Sequence, residues 1–172
     1  MGKKAAITID RMVKEDLDQV LAIEVVSFTM PWSKNLFLSE FRNKPISLML
    51  VALSGDEGRF VVGYIVCWVF VDELHILDLA TMPQGRRRGI GRELVLAALR
   101  TGYEWGARKA FLEVRESNSA ALELYRGLGF MQTQVREDYY ELPVESAIVM
   151  TLPTEGLRRL LADSDNNPGD ES

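Results

Sequence analysis

The chain has 172 residues, 47% of them hydrophobic and 26% charged, with a formal net charge of −5. That length fits one domain around one core, and the acidity excludes a general affinity for nucleic acid. A single cysteine excludes an internal disulfide, and with a single histidine there is no Cys/His metal cluster, so no metal is expected.

The first segment, Met1-Gly-Lys-Lys, is followed by Asp10 and Arg11 rather than by an apolar signal region, which predicts a cytoplasmic protein. Ile7 to Val13 alternates as an opening strand. Asp16 is placed to cap a helix whose apolar face is Leu17, Val20, Leu21, Val25 and Phe28. Met30-Pro31-Trp32-Ser33 ends it, and Ser33 can cap a second short helix running through Phe41. Ser47 to Leu53 and Arg59 to Val71 read as hairpin strands around a turn at 54–58. The apolar run Phe60 to Val71 is too short to span a bilayer and contains Gly63 and Cys67, so no membrane partner is expected. Glu73 to Thr81 is a further strand, nearly all apolar around Asp78.

After Pro83 and an Arg/Gly loop, Ile90, Leu94, Ala98, Thr101 and Trp105 mark one face of a helix that stops at Gly106. Lys109 to Arg115 is a strand. Ala121, Leu124, Tyr125 and Leu128 mark a short helix with Gly129 as its C-cap. Phe130 to Tyr140 and Ser146 to Leu152 close the pattern as two strands. The order βααβββαβαββ predicts a mixed sheet with helices on both sides. Residues 1–152 are expected to form the domain and 153–172 an extension, mostly disordered. Within that extension Glu155 to Leu161 has room for a helical turn. From Asp163 on the chain is acidic, with no basic and no large apolar residue.

The most specific local signal is Arg86-Arg87-Arg88-Gly89-Ile90-Gly91, between a strand and a helix. The first turn of a helix has N–H groups without internal partners and a partly positive end. A diphosphate can accept several of those bonds if no side chain blocks it, and Gly89 and Gly91 supply that access. Arginines add charge-assisted contacts. A solvated turn fits the same residues when they are taken alone. A nucleotide P-loop needs Lys-Ser/Thr where Arg92-Glu93 stands, and a dinucleotide fingerprint needs a glycine spacing that Gly85 to Gly91 lacks. Four arginines without interleaved aromatics make a poor nucleic-acid patch.

The loop resembles the Arg/Gln-x-x-Gly-x-Gly/Ala signature of the GCN5-related N-acetyltransferase (GNAT) superfamily, which holds the pyrophosphate of coenzyme A. Leu77-Asp78-Leu79-Ala80-Thr81-Met82-Pro83 is similar to the strand leading into it. Leu112 to Asn118 with Ala121 to Phe130 is similar to its second cofactor-side motif. The likeness covers Ile7 to Leu152 and implies an α/β (α+β) fold, a mixed central sheet of about seven strands flanked by about four helices. Pro31-Trp32-Ser33, Leu112-Glu113-Val114-Arg115, Ser117-Asn118, Tyr139-Tyr140 and Ala147-Ile148-Val149-Met150 narrow it to the bacterial ribosomal-protein-alanine N-acetyltransferases (RimI type).

That resemblance implies acetyl-CoA as co-substrate and a protein N-terminus as acceptor, that of a small-subunit ribosomal protein; a lysine side chain or small-molecule amine as acceptor, or a non-catalytic acyl-CoA sensor, is the alternative, and a monomer is expected. By the same resemblance the backbone of Leu79, Ala80 and Thr81 pairs with the pantetheine arm, Arg87, Arg88, Gly89, Ile90, Gly91 and Arg92 hold the pyrophosphate, and Asn118 touches the cofactor. Thr81 stands where valine is usual. Glu113 is the implied general base; alternation alone favours instead an acid that faces solvent or pairs with Arg115. Tyr125 is the implied general acid, although spacing alone puts it in the core. Trp32 and Tyr139 are candidate walls for the acceptor, and Trp32 fits a packing anchor equally. Glu145-Ser146 replaces an acidic pair common in the family. His75, three positions before Asp78, fits either an auxiliary base or sheet-surface packing. Cys67 has no basic neighbour and reads as core, which favours direct transfer.

Overall fold

The computed structural model describes residues 6–55 and 58–166. Its strands are β1 (Ile7–Arg11), β2 (Ser47–Ser54), β3 (Val61–Phe70), β4 (Glu73–Thr81), β5 (Lys109–Arg115), β6 (Met131–Glu141) and β7 (Val144–Leu152). Its helices are α1 (Leu17–Ser27), α2 (Lys34–Arg42), α3 (Ile90–Glu104), α4 (Ser119–Gly127) and α5 (Thr154–Asn166). The strands form one mixed sheet, as the sequence pattern led us to expect, in the order β1-β2-β3-β4-β5-β7-β6. Pairing is antiparallel for β1/β2, β2/β3, β5/β7 and β6/β7 and parallel for β4/β5. The chain divides into two compact units. One holds the described residues up to Trp68 with Leu77–Ala98; the other holds Val69–Ile76 with those from Leu99 on.

In the first unit the core gathers Leu17, Val20 and Ile23 of α1, Phe37 of α2, Met49, Val51 and Leu53 of β2, and Tyr64 and Val66 of β3. Ser33 caps α2 as expected, its Oγ accepting from Leu36 N–H at 3.2 Å. Two expectations for α1 need correcting. Asp16 does not cap forward: it is buried, accepts from Val13 N–H at 2.9 Å, and pairs with Arg59 Nε at 2.8 Å. Arg59 also meets Asp10 at 2.7 Å, which holds the Asp10 carboxyl below its usual range. The inward face of α1 is Leu17, Val20, Ile23 and Glu24, while Val25 is exposed. A carboxylate turns inward because partners wait for it there.

In the second unit β5 alternates between buried and partly exposed positions, with Ala110, Leu112 and Val114 buried. Helix α4 ends as its glycine predicts. Gly129 adopts φ +95°, Phe130 N–H reaches Tyr125 C=O at 3.0 Å, and Gly129 N–H reaches Arg126 C=O at 3.0 Å. β6 lies at the edge of the sheet, almost wholly exposed, and is broken by register shifts between Gln132 and Gln134 and between Arg136 and Tyr140.

The expected disorder beyond 152 also needs correcting. Residues 154–166 form α5, a full helix rather than one turn, which packs against β5. Leu157 and Leu161, one helical turn apart, are buried, and Arg100 meets Asp165 at 3.0 Å. Two leucines on one face were enough to order a segment whose average composition is polar. The remaining part of the acidic tail, like the tip of the turn near residue 56, lies outside the described residues.

Leu157 is 1% exposed. Leu157→Ala should lower stability by about 2–5 kcal/mol in chemical denaturation. The exposed Arg159→Ala should change it by less than about 0.5 kcal/mol. Equal, small effects would mean that α5 does not dock.

Candidate active site

Two constellations of candidate residues lie one in each unit. In the first, β4 runs into a short 3-10 turn at Pro83–Gly85 and then the exposed arginine loop. Gly85 is buried, where a Cβ would come within 3.0 Å of the Ile90 side chain. Arg87 and Gly89 both have left-handed backbones, at φ +63° and +78°. Such alternation turns successive N–H groups towards one side, an anion-binding concavity. Glu93 N–H is the first to close a turn of α3, on Gly89 C=O at 3.0 Å. The N–H groups of Ile90, Gly91 and Arg92 therefore have no partner within the helix. Arg86, Arg87, Arg88 and Arg92 are exposed and make no ion pair among the described residues. These donors and charges suit a polyanion such as the coenzyme's diphosphate.

Leu79, Ala80 and Thr81 lie on the last part of β4. The parallel register with β5 stops at Ile76–Leu112, although β4 continues to Thr81. Trp32 packs against the core of the first unit, its ring 5.3 Å from that of Phe37, so the anchor reading describes its indole. The Trp32 backbone N–H donates to Glu24 Oε1 at 2.7 Å. Cys67 is fully buried and burial pushes its thiol up, which keeps it protonated and unsuited to carry an acyl group.

In the second unit Glu113 sits on the partly exposed face of β5, opposite Val149 of β7. Its partner is not Arg115. Glu113 Oε1 meets Arg136 Nη1 at 2.8 Å, and Tyr139 donates its hydroxyl to the same carboxylate. That hydrogen bond, followed by partial burial, holds the Tyr139 hydroxyl above its usual range. Tyr140 is pushed up to about 12, by burial first and then by the charge of Glu113. Arg115 instead lies over the Tyr140 ring at 4.2 Å and meets Glu145 at 3.5 Å.

Asn118 is exposed and its Oδ1 accepts from Ala121 N–H at 3.1 Å, so it caps α4 while its amide N–H groups point elsewhere. Tyr125 is 5% exposed, its ring 5.5 Å from that of Phe130, in the core position its spacing indicated. His75 lies at the sheet surface, 2.8 Å from Glu73 and stacked on Phe111.

Glu113 and Tyr139 are thus brought together. Arg136, which joins them, was not singled out in the sequence. The irregular register of β6 between Arg136 and Tyr140 hides it from any alternation rule, because residues three apart there serve the same carboxylate. Glu24 and Asp78 were missed as a pair. The only signals were one acid in an apolar strand and one on an apolar helix face. Among the described residues no group of three or more His, Cys, Asp or Glu is placed to hold a metal ion, and no helix is long and apolar enough to cross a membrane.

Residues 17–130 match the acetyltransferase (GNAT) family, and the chain belongs to that family. It is 32% identical over 148 residues to the [ribosomal protein bS18]-alanine N-acetyltransferase of Escherichia coli K12, covering 85% of this chain and 97% of that protein. The crystal structure of the ribosomal-protein-S18-alanine N-acetyltransferase from Escherichia coli matches with a TM-score of 0.76 at 30% identity, over 87% of this chain and 94% of that one. Ard1 from Thermoplasma volcanium matches with a TM-score of 0.76 at 31% identity, over 85% and 96%.

Gly89→Val should weaken acetyl-CoA binding at least tenfold in calorimetry, because φ +78° costs a side-chain-bearing residue about 1–2 kcal/mol and the N–H groups would turn away. Unchanged affinity in a folded variant would remove this loop from the cofactor site.

Proposed function

We propose that this enzyme transfers acetyl from acetyl-CoA to the N-terminal α-amine of a protein, the alanine of ribosomal protein bS18, directly and without an acyl-enzyme. The observation that carries the reading is Glu113: a partly exposed carboxylate on β5, gripped by Arg136 at 2.8 Å and by the Tyr139 hydroxyl, in a chain of this family. The acceptor is supported by the relatives, which acetylate that alanine and whose length this chain spans almost completely. An acceptor of that kind puts the reaction in the cytoplasm.

The division of labour follows from chemistry. Leu79, Ala80 and Thr81 offer backbone groups to the amides of the pantetheine arm, as an added strand would. Ile90, Gly91 and Arg92 N–H groups take the diphosphate, and Arg87 and Arg88 neutralise it. Asn118 keeps amide donors for the cofactor while its carbonyl caps α4. An α-amine has an unperturbed pKa of about 7.7–8.0, so a fraction is neutral at neutral pH and an ordinary carboxylate suffices to take its proton. Glu113 is that base, with Arg136 and Tyr139 fixing its orientation. Tyr125 gives its proton to the departing thiolate. Trp32 and Tyr139 flank the acceptor. A lysine acceptor, with a pKa of about 10.4, would demand a stronger base than Glu113.

Glu113→Gln and Tyr125→Phe should each slow kcat about a hundredfold or more while acetyl-CoA binding is kept. Coenzyme A release will be followed with a peptide copying the bS18 N-terminus, the same peptide with a blocked N-terminus, and a lysine peptide. Turnover on the blocked or lysine peptide, but not on the free N-terminus, would overturn the acceptor.

A further inference from the structure

The first unit buries two carboxyl groups side by side. Glu24 of α1 is 1% exposed and Asp78 of β4 is 8% exposed. Glu24 is well supplied: Trp32 N–H donates to Oε1 at 2.7 Å and the Tyr64 hydroxyl donates to Oε2. Asp78 faces Leu79 N–H, the Tyr64 oxygen and the Glu24 carboxyl. Tyr64 has one proton and spends it on Glu24, and Asp78 Oδ2 is buried with no N–H or O–H donor reaching it. Among the described residues no cation joins the group. The only buried acid of α2, Glu40, is engaged by Trp68 Nε1 at 2.8 Å. Two carboxyl groups facing each other away from water cannot both be ionised; one must carry a proton.

We propose that Asp78 carries that proton and donates it to Glu24, and that this acid–carboxylate bridge is a positioning device. It ties the strand that bears Leu79–Thr81 to the Pro31-Trp32 segment that receives the acceptor. The role given to Trp32 rests on the proposed function; the shared proton does not. The same proton explains how a carboxyl group is tolerated in an apolar strand, and why α1 turns Glu24 inward in place of Val25. Burial first, and the neighbouring Glu24 next, push Asp78 up to about 9. Folded protein thus keeps a proton that the unfolded chain releases near pH 3.9. The stability this confers is complete below about pH 4 and is lost as pH rises through about 9. Above that the bridge opens and the Trp32 segment loosens.

Asp78→Asn replaces the carboxylic O–H by an amide N–H that cannot titrate, and tests the bridge in two ways. Infrared spectra of the wild type at pH 7 should contain the carbonyl stretch of a protonated carboxylic acid. It should vanish with a midpoint near pH 9 and be missing from Asp78→Asn. The ratio of wild-type to Asp78→Asn kcat/KM should be level from pH 6.5 to 8 and fall severalfold by pH 10, through the KM of the peptide and not of acetyl-CoA. Titration of the acceptor amine is common to both enzymes and cancels. A purely structural Asp78 would leave that ratio level. A missing band, or one that survives in Asp78→Asn, overturns the shared proton whatever the acceptor. The band present with a level ratio overturns the positioning role alone. Should Asp78→Asn not fold, the wild-type band and peptide KM must change together between pH 8 and 10, and a band that persists to pH 10 overturns the proposal.

Discussion

Parallel pairing of β4 with β5 is the constraint from which the rest follows. Two antiparallel strands can be joined by a tight turn, but parallel neighbours need a crossover, here α3. The start of α3 must then come directly after the end of β4, where its unpartnered N–H groups and positive dipole end are offered beside a strand edge. Gly85, Arg87 and Gly89 make the short connection feasible, one by giving space and two by left-handed backbone. A helix start fit for an anion is thus a by-product of strand direction. The arginines add charge to a place already built to receive it.

The acids are handled in contrasting ways. Glu113 is partly exposed and lies against a cation, Arg136, so its charge is supported and its orientation is fixed. Glu24 and Asp78 are buried with no cation among them, so a proton does the work that Arg136 does for Glu113. Asp16 takes a third course, its buried charge met by Arg59 and by Val13 N–H. Each solution meets the cost of taking a carboxylate out of water.

The edge strand β6 shows how a shared carboxylate cluster is assembled from irregularity. A regular edge strand would send Arg136 and Tyr139 to opposite faces of the sheet. The shift in register between Arg136 and Tyr140, with Asp138 at φ +49°, lets both reach one carboxylate.

The sequence by itself determined the element order, the strand–loop–helix pattern and the helix ends at serine and glycine, because these depend on local periodicity and on the conformational limits of those two residues. Ser33, Gly106 and Gly129 ended or capped their helices where their chemistry said they would, and Asn118 proved to cap α4, a role not read from the sequence. Tertiary structure alone decided which acids meet which partners. Glu113 chose Arg136 over Arg115, Asp16 chose Arg59 over its own helix, and Glu24 turned inward to Tyr64. It also decided that α5 would order, because Leu157 and Leu161 needed a surface to cover. Partners 20 to 45 residues apart are set by register and packing, and neither leaves a trace in local periodicity.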